Sequence, residues 1–502
     1  MSKDSTKSYS ITKTEGLSSQ IVRGSVWVGI LEISNQLLQF VKTFYAARIL
    51  TPGDFGIVGF AFLTIILIDV FSTTGMKEAI IQSKDNLSGY LNTVWMIELG
   101  KGLIVLIVCI LISPWTGALF KSQNHELIRF VILSIGVIYF LQSTTNIGVV
   151  FFEKNIQFSR FFLFQFSGTI VDVVISLILV TKLRDISALF YGMMAGVFMK
   201  SMMSFLLVDF KPKFQFSYRK AAELFRYGKW IFKGRIVSFL GMQLDSLVVS
   251  TFLGLVSLGF YQMAFRIGNL PISQAANIMG KIIFPTFSKV HEDKIKLKEY
   301  FLSSLNILAV LFLPIIMLVY SFIPEFTTLF LGIKWIQIVP LVRILIISGY
   351  IRIFATILDY LFCAIGAPKI SAQLQLKRTL SFIVAVIPLS YFWGIIGVAM
   401  SGLVAILLVT IIYMRQAAIQ LQINRWELAD AILFPSVFGT IISIIVIYLK
   451  GYFLQIDIIA FIILVFSLVF GYVTIGLLIN RFTQLKLFRR IISIIQSYKF
   501  TA

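Results

Sequence analysis

The chain has 502 residues, of which 58% are hydrophobic and 13% charged, and its mean hydropathy is +0.91. That charged share is about half the usual globular value and excludes a soluble domain. The net charge of +21 does not gather on one folded face with interleaved aromatics, which argues against nucleic acid as a partner, and no GxxxxGK[ST] loop offers a nucleotide site.

Residues 1–22 are polar, contain no apolar signal core and read as a cytoplasmic arm. Apolar stretches long enough to cross a bilayer as helices follow near 23–48, 54–75, 89–113, 127–150, 161–181 and 186–208. These six form an N-terminal lobe, 23–208. A basic segment, 209–229, carrying Lys211, Lys213, Arg219, Lys220 and Arg226 around Pro212, reads as the link between lobes. The C-terminal lobe, 230–414, holds spans near 230–251, 257–280, 299–321, 338–363, 379–391 and 394–414. Two extra spans lie near 431–449 and 458–480, and 481–502 is a basic cytoplasmic tail. The expectation is an all-α polytopic membrane protein of about 14 transmembrane helices.

Lys and Arg collect in the connections on the N-terminal side of the membrane. On the other side stand Arg48, Lys121, Lys182, Arg184, Lys334 and Lys450. This bias puts both termini in the cytoplasm and makes anionic lipid headgroups partners of the excess charge. Cys109 and Cys363 lie apart in apolar spans, so neither a disulfide nor a metal site is expected, and no cofactor is implied. His125 and His291 fall in loops and make no catalytic constellation.

Sliding the chain on itself by 203 residues matches Trp27 with Trp230, Leu37 with Leu240, Leu50 with Leu253 and Gly56 with Gly259. Ala61 and Phe62 then meet Ala264 and Phe265. An even number of spans per lobe makes such a repeat parallel, with its pseudo-twofold along the membrane normal.

Three local pieces carry a family likeness: Leu50-Thr51-Pro52-Gly53-Asp54-Phe55-Gly56, Gly75 with Ala79 to Gln82, and Phe151 to Phe158. With them the chain resembles, over most of its length, the polysaccharide (Wzx-like) flippases of the multidrug/oligosaccharidyl-lipid/polysaccharide (MOP) exporter superfamily. The first piece also reads as a tight turn in which Pro52 presets φ and Asp54 caps the next helix. Thr73 stands where the family leads one to expect an acid, with Asp69 one turn earlier as a substitute, and Lys154 stands where arginine is usual. The resemblance implies a bacterial cytoplasmic-membrane protein with a polyprenyl-diphosphate-linked oligosaccharide as its substrate. Polysaccharide polymerase and chain-length proteins are the partners it implies.

Fifteen ionisable residues fall inside the spans, nine of them basic. Each costs about 2.5–3.5 kcal/mol at a helix centre on insertion scales and therefore faces a cavity, a partner or the interface. Arg129 and Lys200 sit near span ends and read as snorkelling. The 203-residue offset sets Arg235 opposite Glu32 and Asp245 opposite Lys42, so the expected gating pairs are Glu32 with Arg235 and Lys42 with Asp245, the alternative being pairs within each lobe. The ten-residue step between the two pairs is about 15 Å along a helix. Lys42, Arg48, Arg235, Arg266 and Lys281 are the expected cationic, phosphate-binding lining. Without a nucleotide loop an ion gradient is the simplest drive, and Asp69, Asp172 and Asp359 are the candidates for coupling it. Pro271, Pro285 and Pro314 are expected to bend their helices. The rival readings are a multidrug or peptidoglycan-precursor exporter of the same superfamily and, with no large external loop to hold acids or histidines, a less favoured membrane polymerase or glycosyltransferase.

Overall fold

In a computed structural model of the chain, residues 17–72, 88–115, 125–155, 157–223, 239, 241–433, 436 and 437 are described. Regular structure among them is helical throughout. Two compact units divide it. The first takes the described residues up to Leu50 and those of Ala61–Phe239, and the second takes Thr51–Phe60 and the described residues from 241 onward.

The helices are α1 (Leu17–Ile49), α2 (Pro52–Ser72), α3 (Ser88–Ile112), α4 (His125–Ser143), the short α5 (Val150–Lys154), α6 (Phe158–Leu183) and α7 (Ser187–Leu207). After a helical stretch at 241–248 and a wide turn at Val249–Leu253 come α8 (Gly254–Val290), α9 (Lys294–Phe326), α10 (Ile338–Ala364) and α11 (Pro368–Gln420). Nine helical segments among the described residues are long and apolar enough to cross a bilayer. Two of them, Gly241–Leu270 and Pro368–Gln420, each enclose a break at the junction of two expected spans. The second break is Gly394, whose φ of 54° and ψ of −130° suit a residue without Cβ. α1 is not among the nine; Glu32, Asn35, Gln36 and Gln39 interrupt it. The extra spans at 431–449 and 458–480 lie almost wholly outside the described residues, as do Thr73, Gly75, Ala79 to Gln82 and the tail.

The expected turn after α1 is a reciprocal cap. Pro52 takes the first helical position of α2, Asp54 Oδ2 accepts from the Thr51 N–H and Oγ1 at 2.8 Å each, and Thr51 Oγ1 accepts from the Asp54 N–H at 3.3 Å. The start of α2 then packs on the start of α8 without side chains between the backbones. A Cβ on Gly56 would run into the Leu255 carbonyl, and one on Gly259 would run into the Pro52 carbonyl and stand 2.8 Å from the Gly56 nitrogen. Pro52 and Leu255, like Gly56 and Gly259, are 203 residues apart. The two collisions are thus images of each other under the sequence offset.

In the second unit, Met279, Phe287, Phe301, Leu305, Phe312, Ile357, Phe362 and Tyr413 form a core shared by α8, α9, α10 and α11. Since lipid is as apolar as these side chains, close packing rather than escape from water holds such helices together. α9 runs on past Pro314, one of the expected bends. Its start is capped by Asp293, which accepts from the Ile295 and Lys296 N–H groups at 3.1 Å each. The Lys296 backbone N–H is the chief cause holding the Asp293 carboxyl below its usual range. A carboxyl lowered in the native state stabilises above its ordinary pKa and loses that contribution as pH falls through the native value. Asp293→Ala is therefore expected to speed amide exchange at Ile295 and Lys296 at neutral pH, with the difference from the wild type closing in acid; hydrogen exchange read by mass spectrometry checks it.

In the first unit, the segment Phe151 to Phe158 places Phe152 in a small core with Phe164 and Val208. Asn146 anchors it. Its side chain accepts from the Gly148 N–H at 2.9 Å and donates to the Phe210 carbonyl at 2.6 Å, and its own N–H donates to Ser204 Oγ at 2.9 Å. This piece of the family likeness is a packing device.

Candidate functional site

Each unit carries an intramembrane cavity lined by one carboxylate and two cationic side chains. In the first unit the cavity is about 230 Å³ and is lined by α1, α2, α6 and α7. The α6–α7 crossing creates it. Gly168, Asp172 and Ser176 recur every fourth residue on α6, and Gly192, Gly196 and Lys200 do so on α7, so each set lies on one helix face. A Cβ on Gly196 would stand 2.7 Å from both Asp172 Cβ and the Gly168 carbonyl oxygen, and one on Gly192 would stand 2.7 Å from the Asp172 carbonyl oxygen. Small residues at four-residue spacing let the helix backbones meet. Beside them Lys42 donates to Asp172 Oδ2 at 2.6 Å, Gln39 Nε2 donates to the same oxygen at 2.9 Å, and Ser176 donates to Oδ1 at 3.2 Å. Lys42 and Asp172 are 9% and 8% exposed, so their attraction is little screened by water. Lys200 lays its stem across Gly168, lines the same cavity and interacts electrostatically with Asp172.

In the second unit the cavity is about 260 Å³ and is lined by the 241–248 stretch, α8, α10 and α11. Asp245 Oδ2 accepts from the Tyr261 hydroxyl at 2.7 Å, and its Oδ1 accepts from the Ser246 N–H at 2.7 Å. Gln262 donates to Ser246 Oγ at 2.9 Å, which fixes the turn that presents the carboxylate. Arg352 on α10 and Arg378 on α11 line the same cavity and are both attracted by Asp245. Arg378 Nη2 reaches the Gly241 carbonyl at 3.4 Å.

Of the expected site residues, Lys42 and Asp172 come together, which makes Asp172 the counter-ion of a lysine. Within its own unit Lys42 donates to Asp172, and Asp245 accepts from Tyr261 and Ser246, as the alternative of pairs within each lobe expects. Equal depth and opposite sign do not by themselves decide which way a helix face points. Glu32 is exposed, and its expected partner Arg235 lies outside the described residues. Arg48, Asp69 and Arg266 are exposed, and Lys281 is on α8. Asp359 accepts a hydrogen bond from Ser371. The reading of Lys200 as a snorkelling residue is corrected, since its stem runs over a glycine into the cavity rather than out along the helix. Arg378 was not among the expected site residues. α11 begins at Pro368, well before the expected 379, so a residue counted in a loop sits on a helix.

The fold is that of solved transporters of the MOP superfamily. The structure matches the lipid II flippase MurJ in an inward closed conformation with a TM-score of 0.71 at 17% identity, covering 90% of this chain and 98% of that one. It matches an inward-facing multidrug resistance MATE family transporter of the MOP superfamily with a TM-score of 0.60 at 17% identity, covering 80% and 98%. The chain belongs to the polysaccharide biosynthesis protein family, whose model matches residues 46–340. It is similar to the lipopolysaccharide biosynthesis protein WzxC of Escherichia coli strain K12, with 24% identity over 407 residues, 79% of this chain and 80% of that protein.

Proposed function

We propose that the protein is a flippase that moves a polyprenyl-diphosphate-linked oligosaccharide from the cytoplasmic to the outer leaflet of a bacterial cytoplasmic membrane, by alternating access, for cell-surface polysaccharide assembly. One observation carries this reading: each intramembrane cavity is lined by two cationic side chains and one carboxylate, a positive lining that suits an anionic headgroup, with Asp359 also attracting Arg378. Arg48 and Arg266 are the further cationic candidates for the headgroup, and arginine suits diphosphate because its planar fork binds two oxygens at once. Ion coupling falls to Asp69, Asp172 or Asp359, and Asp172 is the one of these that holds a cationic side chain, Lys42. A polymerase and a chain-length protein act on the delivered product.

In proteoliposomes the purified chain is expected to expose a polyprenyl-diphosphate oligosaccharide to an outside glycosidase. Arg266→Ala, while still folded, is expected to weaken substrate binding by about 1.5–3 kcal/mol, roughly 10- to 100-fold, as when a charge-assisted hydrogen bond is lost. Cells lacking the protein are expected to accumulate the lipid-linked oligosaccharide on the cytosolic leaflet. No exposure above protein-free liposomes would refute the reading.

A further inference from the structure

We infer that residues 209–220 form an interfacial strap, whose exposed aromatic side chains sit in an anionic lipid leaflet with their basic neighbours on its headgroups. In the sequence this stretch reads as a link between lobes, yet it is pinned along its length to the start of α3, within its own unit. The Lys213 N–H donates to Asn92 Oδ1 at 2.9 Å, and Asn92 Nδ2 donates to Gln215 Oε1 at 3.2 Å. The Ser217 N–H donates to Thr93 Oγ1 at 3.3 Å, and Phe214 meets the Trp95 ring edge-on with centroids 5.3 Å apart. Beyond the strap, the Tyr90 hydroxyl donates to Glu223 Oε2 at 2.8 Å, and Lys220 Nζ stands over the Tyr90 ring, 5.1 Å from its centre.

These contacts fix the depth of the strap. All of its partners lie between Tyr90 and Trp95, the first residues of the bilayer-length segment Tyr90–Trp115. Six residues of helix rise about 9 Å, so the strap lies where hydrocarbon gives way to headgroups. α7 delivers the chain to the same level, since its exposed Leu206 stands three residues before Asp209. Held there, Phe214, Phe216 and Tyr218 are 75%, 54% and 81% exposed. Aromatic rings at that depth are covered by lipid, which spares them the cost of facing water. The charge selects the kind of lipid. Lys211, Lys213, Arg219 and Lys220 outnumber Asp209 and Glu223 in the same stretch, which favours an anionic surface over a zwitterionic one. An acidic protein would match the charge too, but the bonds to the first turns of α3 keep the strap from standing clear of the bilayer. The leaflet is the cytoplasmic one if the loop charges orient the chain as expected. The strap does not depend on what the chain transports.

The test is the depth of a spin label on the full chain in liposomes. In a Cys109→Ala/Cys363→Ala background the label is placed by Phe216→Cys or, should that chain fold poorly, by Tyr218→Cys. Glu292→Cys, at a side chain 91% exposed in the turn after α8, gives the aqueous reference. In bilayers of equal parts phosphatidylglycerol and phosphatidylcholine, the label at 216 is expected to relax with dissolved oxygen and hardly with an aqueous nickel chelate, the reverse of the label at 292. It is expected to move outward in phosphatidylcholine alone and in the Lys211→Gln/Lys213→Gln/Arg219→Gln variant. Molar salt is expected to do the same, because the screening length falls to about 3 Å. A label at 216 as open to the chelate as the one at 292 would overturn the inference and leave the strap to a soluble protein. Equal depth in the two kinds of bilayer would overturn it as well, since the basic side chains would then play no part.

Discussion

Gly196→Leu is expected to abolish recovery of folded protein from the membrane. The leucine Cβ would stand 2.7 Å from Asp172 Cβ and from the Gly168 carbonyl oxygen, closer than such atoms approach, and both are fixed to the α6 backbone. No flexible tip is there to swing aside. Overpacking typically costs about 1–3 kcal/mol, and a clash of backbone with backbone lies at or beyond the upper end. To relieve it α7 must move off α6, which also carries Lys200 away from Gly168. Gly100→Ala is the control, since nothing lies within 4 Å of the added methyl. The yield of monodisperse protein and its melting temperature decide the matter. A Gly196→Leu chain that purifies and melts like the wild type would show that the crossing is looser than described.

Asp172→Ala is expected to be the most damaging single removal of a charge. It removes the carboxylate to which the buried Lys42 ammonium donates and takes the acceptor from Gln39 and Ser176 at once. Breaking a buried ion pair from one side costs about 3–5 kcal/mol, because the survivor stays desolvated after losing its counter-charge. Replacing both members with apolar groups of similar size is often neutral. The double variant Lys42→Met/Asp172→Leu is therefore expected to melt close to the wild type while each single variant melts well below it. A double-mutant cycle of melting temperatures tests the coupling, and strictly additive losses would mean that the two side chains do not depend on each other.

The helices were legible in the sequence because a run of twenty apolar residues has few other fates, and the junctions near 254 and 394 were bracketed by the expected span ends. The charged sites were less so. Hydropathy marks depth but not azimuth, so the 203-residue offset brought Lys42 and Asp245 to equal depth without showing that each would turn to a neighbour in its own unit. The right azimuth for Lys200 was available in the four-residue recurrence of Gly168, Asp172 and Ser176 against Gly192, Gly196 and Lys200. A polar stripe on α1, Glu32, Asn35, Gln39 and Lys42, likewise marks the face that meets Asp172. Arg378 was lost for another reason. Lys369, Lys377 and Arg378 read as a basic loop, whereas the helix begins at Pro368 and uses those charges along its first turns.

Gly53, Gly56 and Gly59 on α2 each face the residue 203 positions further on: Val256, Gly259 and Gln262. A rotation that superposes the start of α2 on the start of α8 has its axis running between these two helix starts. On such a line a side chain confronts its own counterpart, so bulk gained on one strand of the seam has to be surrendered on the other. Gly59 opposite Gln262 is that exchange already made, and it predicts reciprocal tolerance: a larger residue at 59 is accepted only once 262 has shrunk.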